Sequence, residues 1–192
     1  MFREIDNYLE RCSSFSKQEL ELFHDHLRST TVKRRSYLLQ QGEVCRFEAY
    51  ILKGCLKKYY IDPDGNEVIL QFAVEDWWMS DISSFSEQKP SNFFIQALED
   101  TELLMIDYNS KELLFSKIPA LERVFRLMLQ RSYAVLENRF YATIVHTAEE
   151  RYLDFLDRYP GITSRVPQTQ IASYLGITPE SLSRIKAKML RR

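Results

Sequence analysis

The sequence predicts an α+β protein: an antiparallel β region, then one long helix, then a C-terminal pair of short helices. Short runs rich in branched and aromatic residues occupy the stretch from Val32 to Asp107. A stretch of 28 residues without glycine or proline follows Pro119, and two short amphipathic segments flank Gly176. Strands grouped first and helices grouped afterwards are typical of an α+β chain rather than of one in which the two alternate.

Composition excludes several classes of protein. Of the 192 residues, 45% are hydrophobic and 28% charged, as in ordinary globular chains. The five glycines lie more than ten residues apart, which excludes a glycine-rich phosphate loop. Three cysteines without C-x-x-C spacing predict neither disulfides nor a thiolate zinc site, and they fit a reducing cytoplasm. No window approaches 18 uninterrupted apolar residues and the first residues lack an apolar signal core, so we expect neither export nor a membrane partner.

The N-terminal part begins with a predicted helix over 15–27, where Ser16 and Glu19 have the spacing of a capping box. Six predicted strands follow: YLLQ, EAYILK, CLKKYYI, EVILQFAV, FFIQALE and TELLMID. The segment Asp62-Pro63-Asp64-Gly65-Asn66 separates the third and fourth runs and predicts a tight hairpin turn. The spacing of these runs indicates a sandwich or barrel rather than a parallel sheet.

The 28 residues after Pro119 predict a helix of about 42 Å. A heptad-like apolar seam, interrupted by Arg139, joins Leu121, Phe125, Met128, Ser132, Val135 and Ala142. The seam fits either packing on the helix's own domain or pairing with a second copy of the chain. Because the apolar stripe is narrow for so long a helix, we favour the dimer.

Residues 161–192 carry a concentrated positive charge. They hold six basic residues and one acid, a net +5, which leaves −6 for the rest of a chain whose total is −1. The basic residues are Arg165, Arg184, Lys186, Lys188, Arg191 and Arg192. Such a segment has the electrostatic footprint of a nucleic-acid site, although a solvated helix face would carry the same charge.

Within this segment the pattern predicts a helix-turn-helix. Residues 168–175 form the first short helix, and Gly176 supplies the left-handed turn that ends it. Thr178 is a good N-cap and Pro179 suits the first position of the second helix. In this motif the second helix enters the major groove of DNA.

The outer face of the second helix carries groups that can read DNA. Arginine can bond a guanine edge with two hydrogen bonds, glutamate can accept from cytosine, and hydroxyl, amide and ammonium groups can hold phosphates. The predicted DNA-binding residues are Gln168, Thr169, Thr178, Glu180, Ser181, Ser183, Arg184 and Lys188. A plain helical hairpin with a charged outside is the alternative, but turn, cap, spacing and charge together favour DNA.

These segments resemble bacterial transcription regulators of the Crp/Fnr family, especially the branch common in Bacteroidetes. The resemblance covers nearly the whole chain and is carried by QQGE at 40–43, ILKGCLKKYY at 51–60, EDWWMSDISSF at 75–85, KPSNFFIQALEDTELLMI at 89–106 and IASYLGITPESLSRIK at 171–186. It implies a cyclic-nucleotide-binding-like β-roll as effector domain over 1–116, a dimerisation helix over 117–145 and a helix-turn-helix domain over 146–192. It further implies a cytoplasmic homodimer, joined through the 119–147 helix, that binds double-stranded DNA.

The resemblance also implies roles for single residues. Glu180 and Arg184 match positions that read bases, and Gln168 and Thr169 match positions that touch phosphate. Pro179 stands where better-known members have a further base-reading arginine, so we expect one such contact to be missing.

The effector pocket departs from the family's pattern. Members that bind cyclic nucleotides hold the phosphate with a Gly-Glu pair and an Arg followed by Ser or Thr, and this chain has Ser80-Asp81 and Ser91-Asn92 there. Losing that arginine removes a charge-assisted contact, and Asp81, with Glu75 and Asp76 nearby, would repel an anion. We therefore expect an unknown small-molecule effector or none, with cAMP not a tight ligand. The predicted pocket residues are Trp78, Ser80, Asp81, Ser91 and Asn92.

Other functions find less support in the sequence. His24 and His26 flank Asp25, but residues two apart on a helix do not share a face, so we expect surface histidines rather than a metal site. No catalytic residues can be placed, so neither an enzyme nor a cofactor is predicted. A β-roll that binds a small ligand or a protein, without sequence-specific DNA binding, is the alternative function.

The sequence reaches Arg192 directly after the second helix, so the β wing usual in the family is expected to be absent or abbreviated.

Overall fold

A computed structural model describes residues 2–190, which form eight α-helices and eight β-strands. The helices are α1 (Arg3–Glu10), α2 (Lys17–Asp25), α3 (Ile82–Glu87), α4 (Tyr108–Lys117), α5 (Ala120–Val145), α6 (Ala148–Arg158), α7 (Gln168–Leu175) and α8 (Pro179–Met189). The strands are β1 (Arg28–Val32), β2 (Tyr37–Leu39), β3 (Glu48–Lys53), β4 (Leu56–Ile61), β5 (Glu67–Ala73), β6 (Trp78–Met79), β7 (Phe94–Ala97) and β8 (Thr101–Ile106). Arg191 and Arg192 of the basic segment lie outside the described residues.

The chain divides into two compact units. The first contains the chain up to Lys58 and the segment Phe72–Arg131. The second contains Tyr59–Gln71, which is the outer part of the β4–β5 hairpin, and the chain from Ser132 onward. Helix α5 therefore contributes residues to both units.

The strands form two four-stranded sheets with the orders β1-β8-β3-β6 and β2-β7-β4-β5. Strand β8 is central in the first sheet, where Leu103 pairs with Thr30 of β1 and Leu104 pairs with Tyr50 of β3, both antiparallel. The α+β class and the antiparallel β region predicted from the sequence are confirmed, and the six predicted runs match β2, β3, β4, β5, β7 and β8 to within two residues.

The predicted turn between β4 and β5 is also confirmed. The Asp62 side chain accepts hydrogen bonds from the backbone N–H groups of Asp64 and Asn66 at 3.0 and 2.8 Å. Gly65 has a φ of +85°, the left-handed conformation that glycine tolerates best. The hairpin therefore owes its geometry to local side-chain and backbone preferences.

Successive side chains of β3 and β8 point to opposite faces of the sheet and pack in two separate hydrophobic cores. Tyr50 and Leu104 face a core shared with the helices, whereas Ile51 and Leu103 face the interior of the roll. The helix-side core includes Ile5, Leu9, Phe23, Tyr50, Leu104, Leu121 and Phe125. The roll core includes Leu39, Cys45, Phe47, Ile51, Met79, Phe85, Ile95 and Leu103.

Helix α2 begins at the predicted capping box, in which Ser16 and Glu19 bond reciprocally. The expectation of surface histidines is wrong for His24, whose side chain is only 18% exposed. Its Nε2 lies 2.6 Å from the Asp6 carboxylate and its ring stacks on Phe2 at 4.1 Å. His24 therefore joins α2 to α1, and no group of His, Cys, Asp and Glu among residues 2–190 is arranged to hold a metal ion.

Helix α5 confirms the predicted long helix and corrects its seam. Leu121, Phe125 and Met128 of the predicted seam are buried in the helix-side core, at 0%, 3% and 6% exposure. These residues cannot meet a second copy of the chain, because their own domain covers them. The exposed apolar residues of α5 lie on a different face, described below.

Candidate nucleic-acid interface and effector pocket

Helices α7 and α8 form the predicted helix-turn-helix. Ile171 and Leu175 of α7 are buried, and Gly176 ends α7 in a left-handed conformation with φ of +66°. Thr178 caps α8 by accepting a hydrogen bond from the Ser181 N–H at 3.2 Å, and proline occupies the first helical position. Turn, cap and first residue lie where the local sequence signals place them.

The inner and outer faces of α8 differ in burial. Leu182 is fully buried, and Ile185 and Met189 on the same side are half-buried. The predicted DNA-binding residues are exposed except for Ser181, which is half-buried; the exposed ones are Gln168, Thr169, Thr178, Glu180, Ser183, Arg184 and Lys188. The burial of Leu182 therefore turns the charged and hydroxyl-bearing side of α8 toward solvent.

Three side chains of this outer face already have partners within the chain. Arg184 Nη2 donates to Ser181 Oγ at 3.1 Å, one turn earlier on the same helix. Lys188 Nζ lies 2.6 Å from Glu149 Oε2 of α6. The Glu180 backbone N–H and the Thr178 hydroxyl bond the Glu180 carboxylate and lower its pKa. Arg184 and Glu180 remain at the surface, whereas Lys188 must leave a carboxylate to reach a phosphate.

An exposed apolar stripe runs along α5. Leu136, Phe140 and Ile144 are 63%, 68% and 69% exposed, far above the value of ordinary apolar side chains in a folded chain. The stripe consists of Leu129, Tyr133, Leu136, Phe140 and Ile144, spaced four, three, four and four residues apart. That spacing is the heptad-like spacing of a helix that pairs with another helix.

Four of the predicted effector-pocket residues occupy one end of the roll, and three of these are buried. Ser80, Asp81 and Ser91 are 8%, 5% and 2% exposed, whereas Asn92 is exposed. Ser91 Oγ donates to Asp81 Oδ2 at 2.7 Å, and Asp81 also caps α3 by accepting from the Ser84 N–H. The two positions that match the family's phosphate-binding residues are thus joined directly to each other.

Lys58 of β4 completes this polar cluster, which we define as Lys58, Ser80, Asp81, Ser84 and Ser91. Lys58 Nζ donates to the Ser80 carbonyl at 3.1 Å. Burial lowers the pKa of Lys58, and the neighbouring Asp81 carboxylate opposes that change. The hydroxyl of Ser84 joins the cluster to the backbone of two neighbouring segments. It accepts a hydrogen bond from the Cys45 N–H at 2.8 Å and donates one to the Lys89 carbonyl at 2.5 Å.

The structure corrects two parts of the pocket prediction. Trp78 does not line the polar cluster: its ring packs against Tyr50 and Phe125 in the helix-side core, while Trp77 packs against the roll core. The expected repulsion from Glu75 and Asp76 is also wrong. Asp76 forms an ion pair with Arg11 at 2.6 Å, and Glu75 accepts the Gly54 N–H at 2.8 Å. Adjacent strand residues point to opposite faces, which separates the two tryptophans.

The hairpin tip contacts the helix-turn-helix within the second unit. Ser173 of α7 donates to the Glu67 carbonyl at 2.6 Å and accepts from the Ile69 N–H at 3.0 Å. Arg139 of α5 donates to the carbonyls of Leu70, Ile69 and Tyr174, the last two at 3.0 and 2.6 Å, and lies 4.0 Å from the centre of the Tyr174 ring. One arginine therefore binds both the hairpin and α7.

Sequence reasoning missed Lys58, Arg139 and Ser173 as members of these sites. A signal existed for Lys58, because two adjacent lysines in a predicted strand must lie on opposite faces of the sheet; in the structure Lys57 is buried and Lys58 is half-buried. A signal existed also for Arg139, which breaks the apolar pattern of α5. For Ser173 the local sequence offers no signal, since its partners are more than 100 residues away.

None of the helices described here is both long enough and apolar enough to cross a membrane.

Comparisons with known proteins bear on the same regions. Residues 29–117 match the cyclic nucleotide-binding domain family. The chain is 27% identical over 190 residues to the fumarate and nitrate reduction regulatory protein of Vibrio cholerae, across 91% of this chain and 74% of that protein. It is 24% identical over 183 residues to the cAMP-activated global transcriptional regulator CRP of Salmonella typhimurium, across 89% of this chain and 86% of that protein.

Among solved structures, the fold is similar to that of CLP, the c-di-GMP responsive global regulator of Xanthomonas campestris. The match has a TM-score of 0.73 at 15% identity and covers 92% of both chains. Both sequence relatives are named as regulators, one of them as a global transcriptional regulator, and neither carries the name of an enzyme.

Proposed function

We propose that this chain is a transcriptional regulator of the Crp/Fnr type and that it acts as a homodimer reading a two-fold DNA operator through α8. The match of residues 29–117 to the cyclic nucleotide-binding domain family and the similarity of nearly the whole chain to bacterial regulators support this proposal. The observation that carries the proposal is the orientation of α8. Its apolar side is held in the fold by Leu182, and Glu180, Ser183 and Arg184 face solvent together. Arginine and glutamate at the N-terminal half of such a helix are suited to base edges in the major groove.

Phosphate contacts would come from the surrounding residues. Gln168 and Thr169 are exposed at the start of α7, where unpaired backbone N–H groups favour an anion. Lys188 lies at the other end of the face, two turns beyond Glu180. Such contacts fix the register of the protein on the duplex, and they make affinity fall steeply with salt.

The exposed stripe of α5 supports pairing of two chains. Two helices paired along the stripe would bury apolar side chains that a single chain leaves in water, and a dimer would place its two recognition helices to read half-sites about 34 Å apart. Size-exclusion chromatography with light scattering tests this: the parent should have twice the chain mass. A Leu136→Glu variant should run as a monomer and lose operator binding, whereas Glu137→Gln, beside it but off the stripe, should remain dimeric.

We further propose that cAMP is not the effector. A cyclic phosphate needs a cation and free donors, but here Asp81 accepts the Ser91 hydroxyl and lies beside Lys58. A bound phosphate would have to displace this internal carboxylate. Calorimetric titration with cAMP, cyclic GMP and cyclic di-GMP tests the idea, the last because the structurally similar Xanthomonas regulator responds to it. Micromolar binding of cAMP would contradict the proposal. Under the proposal, the candidate effector is an unidentified small molecule.

Selection of bound fragments from random duplex DNA by the purified dimer is the decisive experiment. We expect a two-fold motif whose half-sites are one helical turn apart, and an affinity that falls linearly with salt on a double-logarithmic plot. Enrichment of no motif, together with salt-independent behaviour, would instead favour a β-roll that binds a small ligand or a protein.

A further inference from the structure

We infer that Arg139 and Ser173 clamp the tip of the β4–β5 hairpin onto the first helix of the helix-turn-helix, and that the hairpin thereby sets the position of α7 and α8. The clamp itself does not depend on DNA. Only its use during operator binding rests on the proposed function.

Ser173 supplies the first half of the clamp. Strand β5 is the last strand of its sheet, so within residues 2–190 no further strand lies along its outer edge to bond the N–H and C=O groups there. The Ser173 hydroxyl donates to the Glu67 carbonyl and accepts from the Ile69 N–H, two residues further on. A single side chain of α7 therefore takes the place that a residue of a next strand would have.

Arg139 supplies the second half. Its guanidinium donates to the carbonyls of Ile69 and Leu70 in the hairpin and of Tyr174 in α7. The Tyr174 carbonyl belongs to the last turn of α7, where carbonyls lack a helical partner and a cation is favourable. The planar guanidinium of arginine can bond several carbonyls while its flat face stacks on the Tyr174 ring, a combination that the compact ammonium of lysine lacks.

The clamp lies close in sequence to the turn between α7 and α8, which positions the recognition helix α8. Tyr174 is followed by Leu175 and Gly176, and α8 begins at Pro179. At the other side, the hairpin continues directly into β4 and β5 of the sheet that contains β7. A rearrangement of those strands would therefore act on α7 through main-chain carbonyls and one serine, without any change in the surface of α8.

Amide hydrogen exchange of the full-length protein, read over 67–71 and 168–175, tests the clamp. Arg139→Gln should speed exchange at least tenfold in both segments. The matched control is Arg126→Gln, because Arg126 is an exposed arginine of the same helix whose guanidinium bonds Gln130 one turn away. It should leave both segments at parent rates. Faster exchange in one segment alone, or in neither, would overturn the inference.

Ser173→Ala covers the case in which Arg139→Gln does not fold. Ser173 lies at the partly exposed side of α7, and the change removes only a hydroxyl. We expect the Ile69 amide to exchange at least tenfold faster while α5 and β8 keep their protection. Unchanged Ile69 exchange would contradict the clamp.

Exchange in the presence of DNA separates a clamp from a merely stabilising contact. Saturating selected operator should slow exchange over 67–71 in the parent and in Arg126→Gln, because coupling between two sites is reciprocal, and it should not do so in Arg139→Gln. Bound operator without any response of the parent hairpin would refute the use of the clamp in regulation. If no operator binds at all, the proposed function fails, and the experiments without DNA still decide the clamp.

Discussion

The polar cluster of the roll and the outer face of α8 hold the same kinds of side chain in opposite circumstances. In the cluster, Ser91 donates to Asp81 at 2.7 Å and Lys58 donates to a carbonyl at 3.1 Å, all within the first unit. On α8, Glu180 and Arg184 lie in solvent. Buried polar groups that hydrogen-bond to one another contribute to the stability of the fold. Exposed polar groups are hydrated instead, and they can exchange water for the groups of a binding partner.

The comparison separates stability from recognition. Changes to buried polar groups of the first unit should lower the free energy of unfolding and leave DNA affinity unchanged once the protein is folded. Changes on the outer face of α8 should lower DNA affinity and leave the free energy of unfolding unchanged.

The largest effect is expected at Lys111, whose Nζ lies 2.6 Å from the buried Glu48 carboxylate and 4.4 Å from the centre of the Phe125 ring. Lys111→Met should lower the free energy of unfolding by about 3–5 kcal/mol, because it leaves a buried charge without its partner. Chemical denaturation measures this, with Lys117→Met, an exposed lysine of the same helix, as the matched control.

The pH dependence of Lys111→Met sharpens the same prediction. Burial raises the pKa of Glu48, and Lys111 opposes that rise. Without Lys111, the folded protein keeps a proton that the unfolded chain releases, so the stability of the variant should fall as pH rises from about 4 to about 7. A loss that is the same at both ends of this range would show that packing, not charge, is responsible.

A smaller loss is expected for Asp81→Ala. The change removes the acceptor of the Ser91 hydroxyl and the cap of α3. A lost cap costs about 1 kcal/mol and a lost hydrogen bond to a charged group about 1.5–3 kcal/mol, so we expect about 2–4 kcal/mol in total. Asn92→Ala, an exposed neighbour of the same predicted pocket, is the control and should be neutral. Operator affinity measured well below the melting temperature should match the parent in both variants.

On the other side of the comparison, Arg184→Ala should weaken operator binding by about 1–3 kcal/mol and relax preference at one base position. Its melting temperature should stay that of the parent, because the side chain is exposed. Arg184→Lys separates charge from geometry, since lysine keeps the charge and lacks the two-donor fork. Full specificity in Arg184→Ala would remove this residue from the base-reading set.

The smallest effect is expected at the ion pair between Lys188 and Glu149. Glu149→Gln should strengthen DNA binding by less than about 1 kcal/mol, because exposed pairs of this kind contribute about 0–1 kcal/mol and Lys188 no longer has to leave one. Glu122→Gln removes the same charge far from α8 in sequence and serves as the control. Equal tightening in both variants would indicate net charge alone as the cause.

The helix-turn-helix could be predicted from sequence because its signals are local. Gly176, Thr178 and Pro179 each act within a few residues, and the bounds of α7 match the prediction. The hairpin turn of Asp62 and Gly65 was predictable for the same reason. Local preference and final structure agree wherever the partner of a group is close along the chain.

Elements that depend on distant partners were not predicted. Strand β1, with the sequence RSTTV, has no apolar alternation, and it forms a strand because Arg28–Val32 pairs residue by residue with β8. The seam of α5 was assigned to the wrong face. The heptad spacing allows two faces, and the packing of α1, α2, α4 and the strands β3 and β8 decides which of them is covered. The Asp81–Ser91 bond and the contacts of Arg139 likewise join segments that sequence spacing does not relate.

The bond between Ser173 and the outer side of β5 has a consequence for self-association. A bare sheet margin is a template on which another extended chain can add, and proteins usually guard it with charge, proline or a covering element. In this protein the element that covers the outer edge of β5 is α7, the first helix of the proposed DNA-binding module. Variants that release α7 should therefore precipitate or form fibrous aggregates sooner on storage than variants of equal stability in which α7 stays in place.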